Sequence, residues 1–184
     1  MKHQILFLGP QGSGKGTQAT ILAETLGVPA LSMGQLLRDE KASGSDLGKT
    51  IADIIDRGDL VPDDMTTAVL KKRLEAEDVQ KGFIIDSFPR YMEQYENSKD
   101  FFQPTAVIAL HIPYEESISR LLKRAEIEGR ADDTREKIEH RLDLYKKETE
   151  PVIETYNELG VAHVVDGVGT IEEVQARILD ALQI

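Results

Sequence analysis

Residues 5–17 read ILFLGPQGSGKGT, and this stretch decides the fold. Its apolar tetrad, residues 5–8, predicts a buried parallel strand, and residues 17–26 predict the helix that follows it. The glycines between them let the backbone turn inward, so that successive N–H groups point at one anion. The helix N-terminus adds its dipole at the same point, and Lys15 adds a positive charge. The stretch therefore predicts a phosphate-binding loop, whose contact residues are Gly12, Ser13, Gly14, Lys15, Gly16 and Thr17.

One position in this loop departs from the common pattern. Phosphate-binding loops usually carry Ser or Thr directly after the lysine, where the hydroxyl binds magnesium, but this chain has Gly16 there. A magnesium ion would then take its ligands from phosphate oxygens and water. Asp86 ends the apolar run of residues 83–86 and is predicted to orient such a water, so any metal contact is through water. The alternative role for Asp86 is a helix cap or an ion pair in a loop.

The rest of the chain alternates short apolar runs with amphipathic stretches. Further buried strands are predicted at residues 83–85, 106–110 and 161–165, with a short one at 29–31. Alternating strands and helices predict an α/β fold with a parallel sheet covered on both faces, and ligands at the carboxyl ends of its strands. Residues 32–61 and 124–133 lack strong core patterning, so they are either small excursions over the site or plain surface loops.

Composition excludes several classes of protein. The chain has 184 residues, 22 Lys and Arg against 33 Asp and Glu, and a formal net charge of −11, so it is a poor general binder of nucleic acid or of anionic membranes. It has no cysteine, which excludes disulfides, thiolate zinc sites and a cysteine nucleophile. The N-terminal apolar run is too short for a signal peptide or a membrane span, so we expect a cytoplasmic protein of one domain.

Five segments in the same order give the chain a specific resemblance to the adenylate kinases. The first is GPQGSGKGTQ at residues 9–18. It is followed by SMGQLLR, where the family usually reads STGDLLR, by GDLVPD, by DSFPR with Gln94 beyond it, and by RAEIEGRADD, which is similar to the short form of the family's mobile lid. Arg141 and Gly169 fall in register as well. The resemblance extends along nearly the whole chain.

This resemblance implies a phosphate-loop kinase fold with a five-stranded parallel sheet. Residues 1–184 would form a single domain with a core of 1–31, 62–122 and 134–184, an AMP-binding excursion at 32–61 and a short lid at 123–133. It also implies reversible transfer of a phosphoryl group from ATP to AMP, with Mg²⁺ and without zinc, giving two ADP. The implied partners are ATP, AMP and ADP, with neither nucleic acid nor membrane, and the protein would act as a monomer.

The resemblance also assigns roles to individual residues. On the donor side, Lys15 stays with the phosphoryl group as it is transferred. Arg124 lies against ATP, and Gly169 lets the backbone approach the adenine of ATP. Arg130 and Arg141 close on the transferring group. The residues expected to contact AMP are Met33, Arg38, Asp59, Leu60, Val61, Ser87, Arg90, Gln94, Arg130 and Arg141. Among them, Arg38 and Arg90 would hold the phosphate, because a guanidinium fork binds two oxygens at once, and Gln94 would read the adenine edge.

The departures from the family pattern cluster around the acceptor. Met33 replaces a Thr, Gln35 replaces an Asp, and Ser87 replaces a Gly beside the base. A UMP or CMP kinase on the same fold therefore stays open as an alternative, although those relatives usually carry Asn where this chain has Gln94. An inactive nucleotide-binding protein and a small-metabolite kinase are further alternatives.

Overall fold

The computed structural model describes residues 3–56, 61–128 and 134–184. Five parallel strands form one sheet in the spatial order β2-β3-β1-β4-β5. The strands are β1 His3–Leu8, β2 Ala30–Ser32, β3 Gly82–Asp86, β4 Ala106–His111 and β5 Ala162–Asp166. Each begins within two residues of a predicted strand, so the predicted α/β fold with a five-stranded parallel sheet is confirmed.

Helices connect the strands and cover the sheet. Their bounds are α1 Lys15–Leu26, α2 Met33–Ala42, α3 Asp46–Asp56, α4 Asp63–Leu74, α5 Met92–Ser98, α6 Tyr114–Glu128, α7 Arg135–Leu144, α8 Glu150–Glu158 and α9 Ile171–Leu182. A 3₁₀ turn, Glu77–Val79, precedes β3, and a π-helical turn, Tyr145–Thr149, joins α7 to α8. Within the described ranges, every helix is too short or too polar to cross a bilayer.

The central strand β1 shows why the sheet strands read as continuous apolar runs. Leu6 and Leu8 pack into one core cluster, with Leu70, Val152 and Tyr156 from the helices. Ile5 and Phe7 alternate with them and pack into a second cluster on the opposite face, with helix residues that include Leu22, Val174 and Ile178. Because both faces are buried along residues 5–8, no position of that run is left for a polar side chain. Each such fully buried side chain contributes about 1.5–3 kcal/mol.

Helices α2 and α3 lie within residues 32–61. The sequence pattern alone leaves this segment as either an excursion over the site or a surface loop. A buried carboxylate joins these helices to α4, because Glu40 accepts hydrogen bonds from Ser45 Oγ at 2.5 Å and from Lys72 Nζ at 2.9 Å. The division into a core, an AMP-binding excursion and a lid stays a prediction. Asp59, Leu60 and Arg130 lie outside the described residues, as do residues 129–133 of the predicted lid.

Candidate active site

The predicted phosphate-binding loop lies at the carboxyl end of β1, in the middle of the sheet. β3, beside it, ends at Asp86, and β4 flanks it on the other side. The strand order places the loop where the chain crosses from one side of β1 to the other. Such a crevice at the carboxyl ends of parallel strands is where open α/β sheets bind their ligands.

Two glycines of the loop are required by its backbone geometry. Gly12 has φ = 82°, and a Cβ added there would lie 3.1 Å from the carbonyl oxygen of Ser117 and 3.2 Å from Leu121 Cγ. Gly14 has φ = 85° and forms the N-cap of α1. Both positions lie in the left-handed region that side chains disfavour, and Gly12 also has no room for one. The loop can therefore pass close beneath α6 before it enters α1.

The start of α1 is equipped to bind an anion. Gly14 offers no side-chain cap, and no acidic residue lies in the first turn, so the first N–H groups of the helix lack a protein acceptor of that kind. The Ser13 hydroxyl is buried, and its Oγ has no hydrogen-bond partner among the described residues. Buried polar groups are nearly always paired, so this hydroxyl and the N–H groups fit a phosphate ligand.

Lys15 folds back over the same loop. Its Nζ donates a hydrogen bond to the carbonyl oxygen of Pro10 at 3.2 Å. Burial of the ammonium group is the main reason that the pKa of Lys15 is lowered to about 8; the charge of Asp86 opposes this shift, and the positive charges of Arg90 and Arg124 add to it. Positive charge is thus concentrated at this loop, although the whole chain is acidic.

The carboxylate of Asp86 is held between the loop and the turn after β3. Its Oδ1 accepts a hydrogen bond from Ser87 Oγ at 2.9 Å. Its Oδ2 lies 3.5 Å from the position of a Cβ added to Gly16, so the missing side chain leaves this oxygen open toward the loop. Among the described residues, no cluster of three His, Asp or Glu side chains could hold a metal ion by itself. One carboxylate fits a Mg²⁺ ion that keeps phosphate and water as its other ligands.

A cavity of about 320 Å³ opens beside Lys15. Arg90, Arg124 and Arg141 line it. Arg124 comes from α6 and Arg141 from α7, while Arg90 follows β3, so three separate segments converge on the loop. The π-helical turn contributes as well, because Thr149 Oγ1 donates to the carbonyl oxygen of Arg90 at 2.9 Å. Of the four cations predicted to be catalytic, the structure brings together Lys15, Arg90 and Arg141.

A second, larger cavity of about 780 Å³ adjoins the first. Most of the predicted acceptor residues within the described ranges line it: Met33, Arg38, Val61, Ser87, Arg90 and Gln94. Ser87 and Arg90 line both cavities, and Arg90 Nε donates to the carbonyl oxygen of Ser87 at 3.0 Å. Two ligands bound in these cavities would therefore meet at Arg90.

The positions that depart from the family pattern make specific contacts in this cavity or beside it. Gln35 Oε1 accepts two hydrogen bonds from the Arg38 guanidinium, the shorter at 2.8 Å. A neutral amide therefore orients Arg38 without neutralising its charge. Met33 is buried and packs into the core while it also lines the cavity wall. Ser87 has φ = 66°, a left-handed conformation that suits the glycine usual at this position.

Gly169 is placed differently from the other predicted nucleotide contacts. A Cβ added to it would meet Glu173 Oε2 at 2.6 Å, and Glu173 is the side chain that completes the capping box of α9. The glycine that approaches the phosphate-binding loop is Gly167, where an added Cβ would lie 3.4 Å from the carbonyl oxygen of Ser13. Contact of Gly169 with adenine stays a prediction.

Arg120 and Asp63 are among the polar residues of the site that sequence reasoning missed. Arg120 Nη1 lies 3.4 Å from the carbonyl oxygen of Gly12 and 3.3 Å from that of Gly167, so it joins the two loops. Its position four residues before Arg124 puts both on one face of α6, a signal that the sequence contains. Asp63 accepts a hydrogen bond from Gln94 Nε2 at 2.6 Å.

Comparisons with known proteins agree with this geometry. The family model described as adenylate kinase matches residues 7–161. The chain is 46% identical to an adenylate kinase of Micrococcus luteus over 184 residues, which cover 97% of this chain and 90% of that protein. It is 45% identical to an adenylate kinase of Thermus thermophilus, with 98% of this chain and 97% of that one covered. An adenylate kinase of Stenotrophomonas maltophilia is 44% identical, with 98% and 99% covered.

Proposed function

The chain belongs to the adenylate kinase family, and on that premise we propose that it catalyses reversible transfer of a phosphoryl group from ATP to AMP, giving two ADP. The observation that carries the proposal is the wall shared by the two cavities. Arg90 lines both, and Lys15 lies beside it. Phosphoryl transfer needs the two phosphates in line and their charge neutralised, and a cation at the junction meets both needs.

We place the donor at the phosphate-binding loop. The N–H groups at the start of α1, the unpaired Ser13 hydroxyl and Lys15 would bind its phosphates, with Gly12, Gly14, Gly16 and Thr17 forming the rest of the cradle. Arg124 and Arg141 would stabilise the charge that spreads over the transferring group. Arg130, which the family resemblance assigns to the same task, keeps that role as a prediction.

We place the acceptor in the larger cavity. Arg38 and Arg90 lie where they could hold its phosphate, and the Gln94 amide lies where it could bind the base. Met33, Val61 and Ser87 also line this cavity. Adenine is favoured over pyrimidines because this chain carries Gln94 where UMP and CMP kinases usually carry asparagine.

Mg²⁺ completes the proposed chemistry. When bound with ATP, the ion neutralises charge on the phosphate oxygens. Asp86 would hold it through water, because Oδ2 faces the loop at Gly16 and Oδ1 is already occupied by Ser87. No part of the proposal uses zinc. The monomeric state and the cytoplasmic location stay predictions.

Initial rates with ATP, Mg²⁺ and each of AMP, UMP and CMP test the proposal. We expect AMP to give the highest kcat/KM, and we expect Arg90→Ala to lower kcat/KM for AMP by about 10²–10³-fold, in the range for a lost transition-state contact. Arg135→Ala is the matched control, since Arg135 pairs with Glu139 on α7 and lines neither cavity.

Each contrary result has a distinct meaning. Pyrimidine acceptors that match AMP would refute the choice of acceptor. An Arg90→Ala enzyme as active as Arg135→Ala would refute the role of the shared wall. Binding of ATP without turnover of any acceptor would make the protein an inactive nucleotide binder.

A further inference from the structure

The side-chain amide of Gln94 is held by two partners of opposite kind. Its Oε1 accepts a hydrogen bond from the backbone N–H of Arg90 at 2.8 Å, and its Nε2 donates to Asp63 Oδ1 at 2.6 Å. Gln94 is only 5% exposed. Asp63 comes from the first turn of α4, whereas Arg90 and Gln94 follow β3, so separate segments hold the amide.

These partners determine which way the amide faces. A backbone N–H can only donate, and an ionised carboxylate can only accept. Turning the amide by half a revolution would place Nε2 against the N–H of Arg90 and Oε1 against the carboxylate of Asp63. Both hydrogen bonds would be lost in a buried place, where unpaired polar groups are costly. Asp63 is the partner that a side-chain substitution can remove.

The groups that remain on the amide complement a base edge with an amino group beside an unprotonated ring nitrogen. An amide has two N–H donors and two acceptor positions, and the protein uses one of each. One N–H and one acceptor position are therefore left at the wall of the larger cavity. A purine with a 6-amino group presents N1 as an acceptor beside an amino N–H donor, which complements this pair. A 6-oxo purine presents the reverse, an N1–H donor beside an oxygen acceptor.

We propose that Asp63 is a positioning residue that fixes the orientation of the Gln94 amide and thereby selects 6-amino over 6-oxo purine monophosphates. The inference rests on the proposed function, because it requires the acceptor base to lie against Gln94. In this proposal Asp63 acts on the choice of base through Gln94. Asp63 therefore affects which base is accepted and does not affect the phosphoryl-transfer step.

The chain supplies a matched control for a merely structural role. Asp63 and Asp64 both lie in the first turn of α4, where acidic side chains interact favourably with the helix dipole. Asp64 is exposed and lines neither cavity, while Asp63 lines the larger one. Loss of either carboxylate removes a similar helix contribution, but only loss of Asp63 frees the amide.

The experiment measures kcat/KM with AMP and with IMP for the parent protein, Asp63→Ala and Asp64→Ala. We expect the AMP-to-IMP ratio to fall about tenfold in Asp63→Ala, the size of one lost hydrogen bond to a charged group, and to stay within about twofold in Asp64→Ala. KM for AMP should rise, while kcat at saturating AMP and KM for ATP stay near the parent values. An equal fall with both acceptors, which leaves the ratio unchanged, overturns the inference.

Asp63→Asn keeps the test decisive if the alanine variant folds poorly. Asparagine keeps an acceptor oxygen but can also present its NH₂, so it favours the Gln94 orientation without enforcing it. We expect an AMP-to-IMP ratio between those of the parent and Asp63→Ala, with a parent-like circular dichroism spectrum. If a folded Asp63→Asn protein has the same AMP-to-IMP ratio as the parent, Gln94 does not need a partner that can only accept hydrogen bonds.

Failure of this inference is distinguishable from failure of the proposed function. A parent protein that does not prefer AMP to IMP contradicts the acceptor assignment before any variant is made. A parent that prefers AMP, with an unchanged ratio in Asp63→Ala, leaves the kinase function standing and overturns only the role of Asp63.

Discussion

Replacing Ser87 separates a backbone effect from a hydrogen bond at the junction of the two cavities. Ser87 has φ = 66°, and its Oγ donates to Asp86 Oδ1 at 2.9 Å. Ser87→Ala removes the hydroxyl but keeps a Cβ in the left-handed region, whereas Ser87→Gly removes both. The difference between the two variants therefore measures the backbone cost alone.

The magnitude follows from two opposing contributions. A left-handed conformation costs a non-glycine residue about 1–2 kcal/mol. Glycine loses more chain entropy on folding than alanine, a cost of about 0.5–1 kcal/mol. Ser87→Gly should therefore be more stable than Ser87→Ala by roughly 0.5–1 kcal/mol, up to about 2–4 °C in Tm. Relative to the parent, Ser87→Ala should lose about 1 kcal/mol with the hydrogen bond.

The assay is urea unfolding followed by circular dichroism, which gives the free energy of unfolding by linear extrapolation. Ser119 supplies the control, because it is exposed within α6 and has no positive φ. There the glycine variant should be less stable than the alanine variant by about 0.8–1 kcal/mol. The sign of the Gly–Ala difference should thus reverse between the two positions. The same sign at both would refute the left-handed conformation of Ser87.

Three further predictions concern charged groups of the site and of the helices beside it. Lys15→Met should lower kcat by about 10³-fold or more with an unchanged circular dichroism spectrum, because the transferring group loses its cation; near-parent turnover would contradict the role of Lys15. In the parent, kcat/KM for ATP should fall as pH rises through about 8. Burial lowers the pKa of Lys15 to that value, and the neutral amine no longer attracts phosphate. A kcat/KM profile that stays flat to about pH 10 would contradict this. Hydrogen bonds from Ser45 and Lys72 lower the pKa of Glu40 below its ordinary value of 4.5, so its stabilisation is present above that value and is lost as pH falls through the lowered pKa. The difference in the free energy of unfolding between the parent and Glu40→Gln should therefore be largest near neutral pH and shrink in acid. Urea unfolding at several pH values measures this difference. A difference that does not change with pH would argue against the ion pair of Glu40 with Lys72.

Much of the fold could be predicted because the strands carry strong local signals. A stretch of strand buried on both faces must be apolar, so residues 5–8 of β1 and 106–110 of β4 stand out as uninterrupted apolar runs. Helix α4 gave no such signal. Its buried side includes Thr66 and Thr67 as well as Val69 and Leu70, so the apolar period of a helix is obscured.

The candidate site was predictable where a motif implies its own geometry. The loop of residues 9–14 and the lysine after it form a local structure, so their spacing indicates an anion site without knowledge of the rest of the chain. Arg120 and Asp63 were missed because their roles depend on partners 31 to 108 residues away. Gly167 was missed because its closeness to the loop exists only once β5 has joined the sheet.

The sequence by itself determined the parallel α/β class, the phosphate-binding loop and the collection of arginines, since each depends on apolar period or on residue spacing along the chain. Only the tertiary structure decided the strand order, the wall that Ser87 and Arg90 share between two cavities, and the orientation of the Gln94 amide. The physical reason is that hydrophobic period and turn chemistry act between near neighbours. Charge convergence and hydrogen-bond direction depend instead on segments that meet only after the sheet has formed.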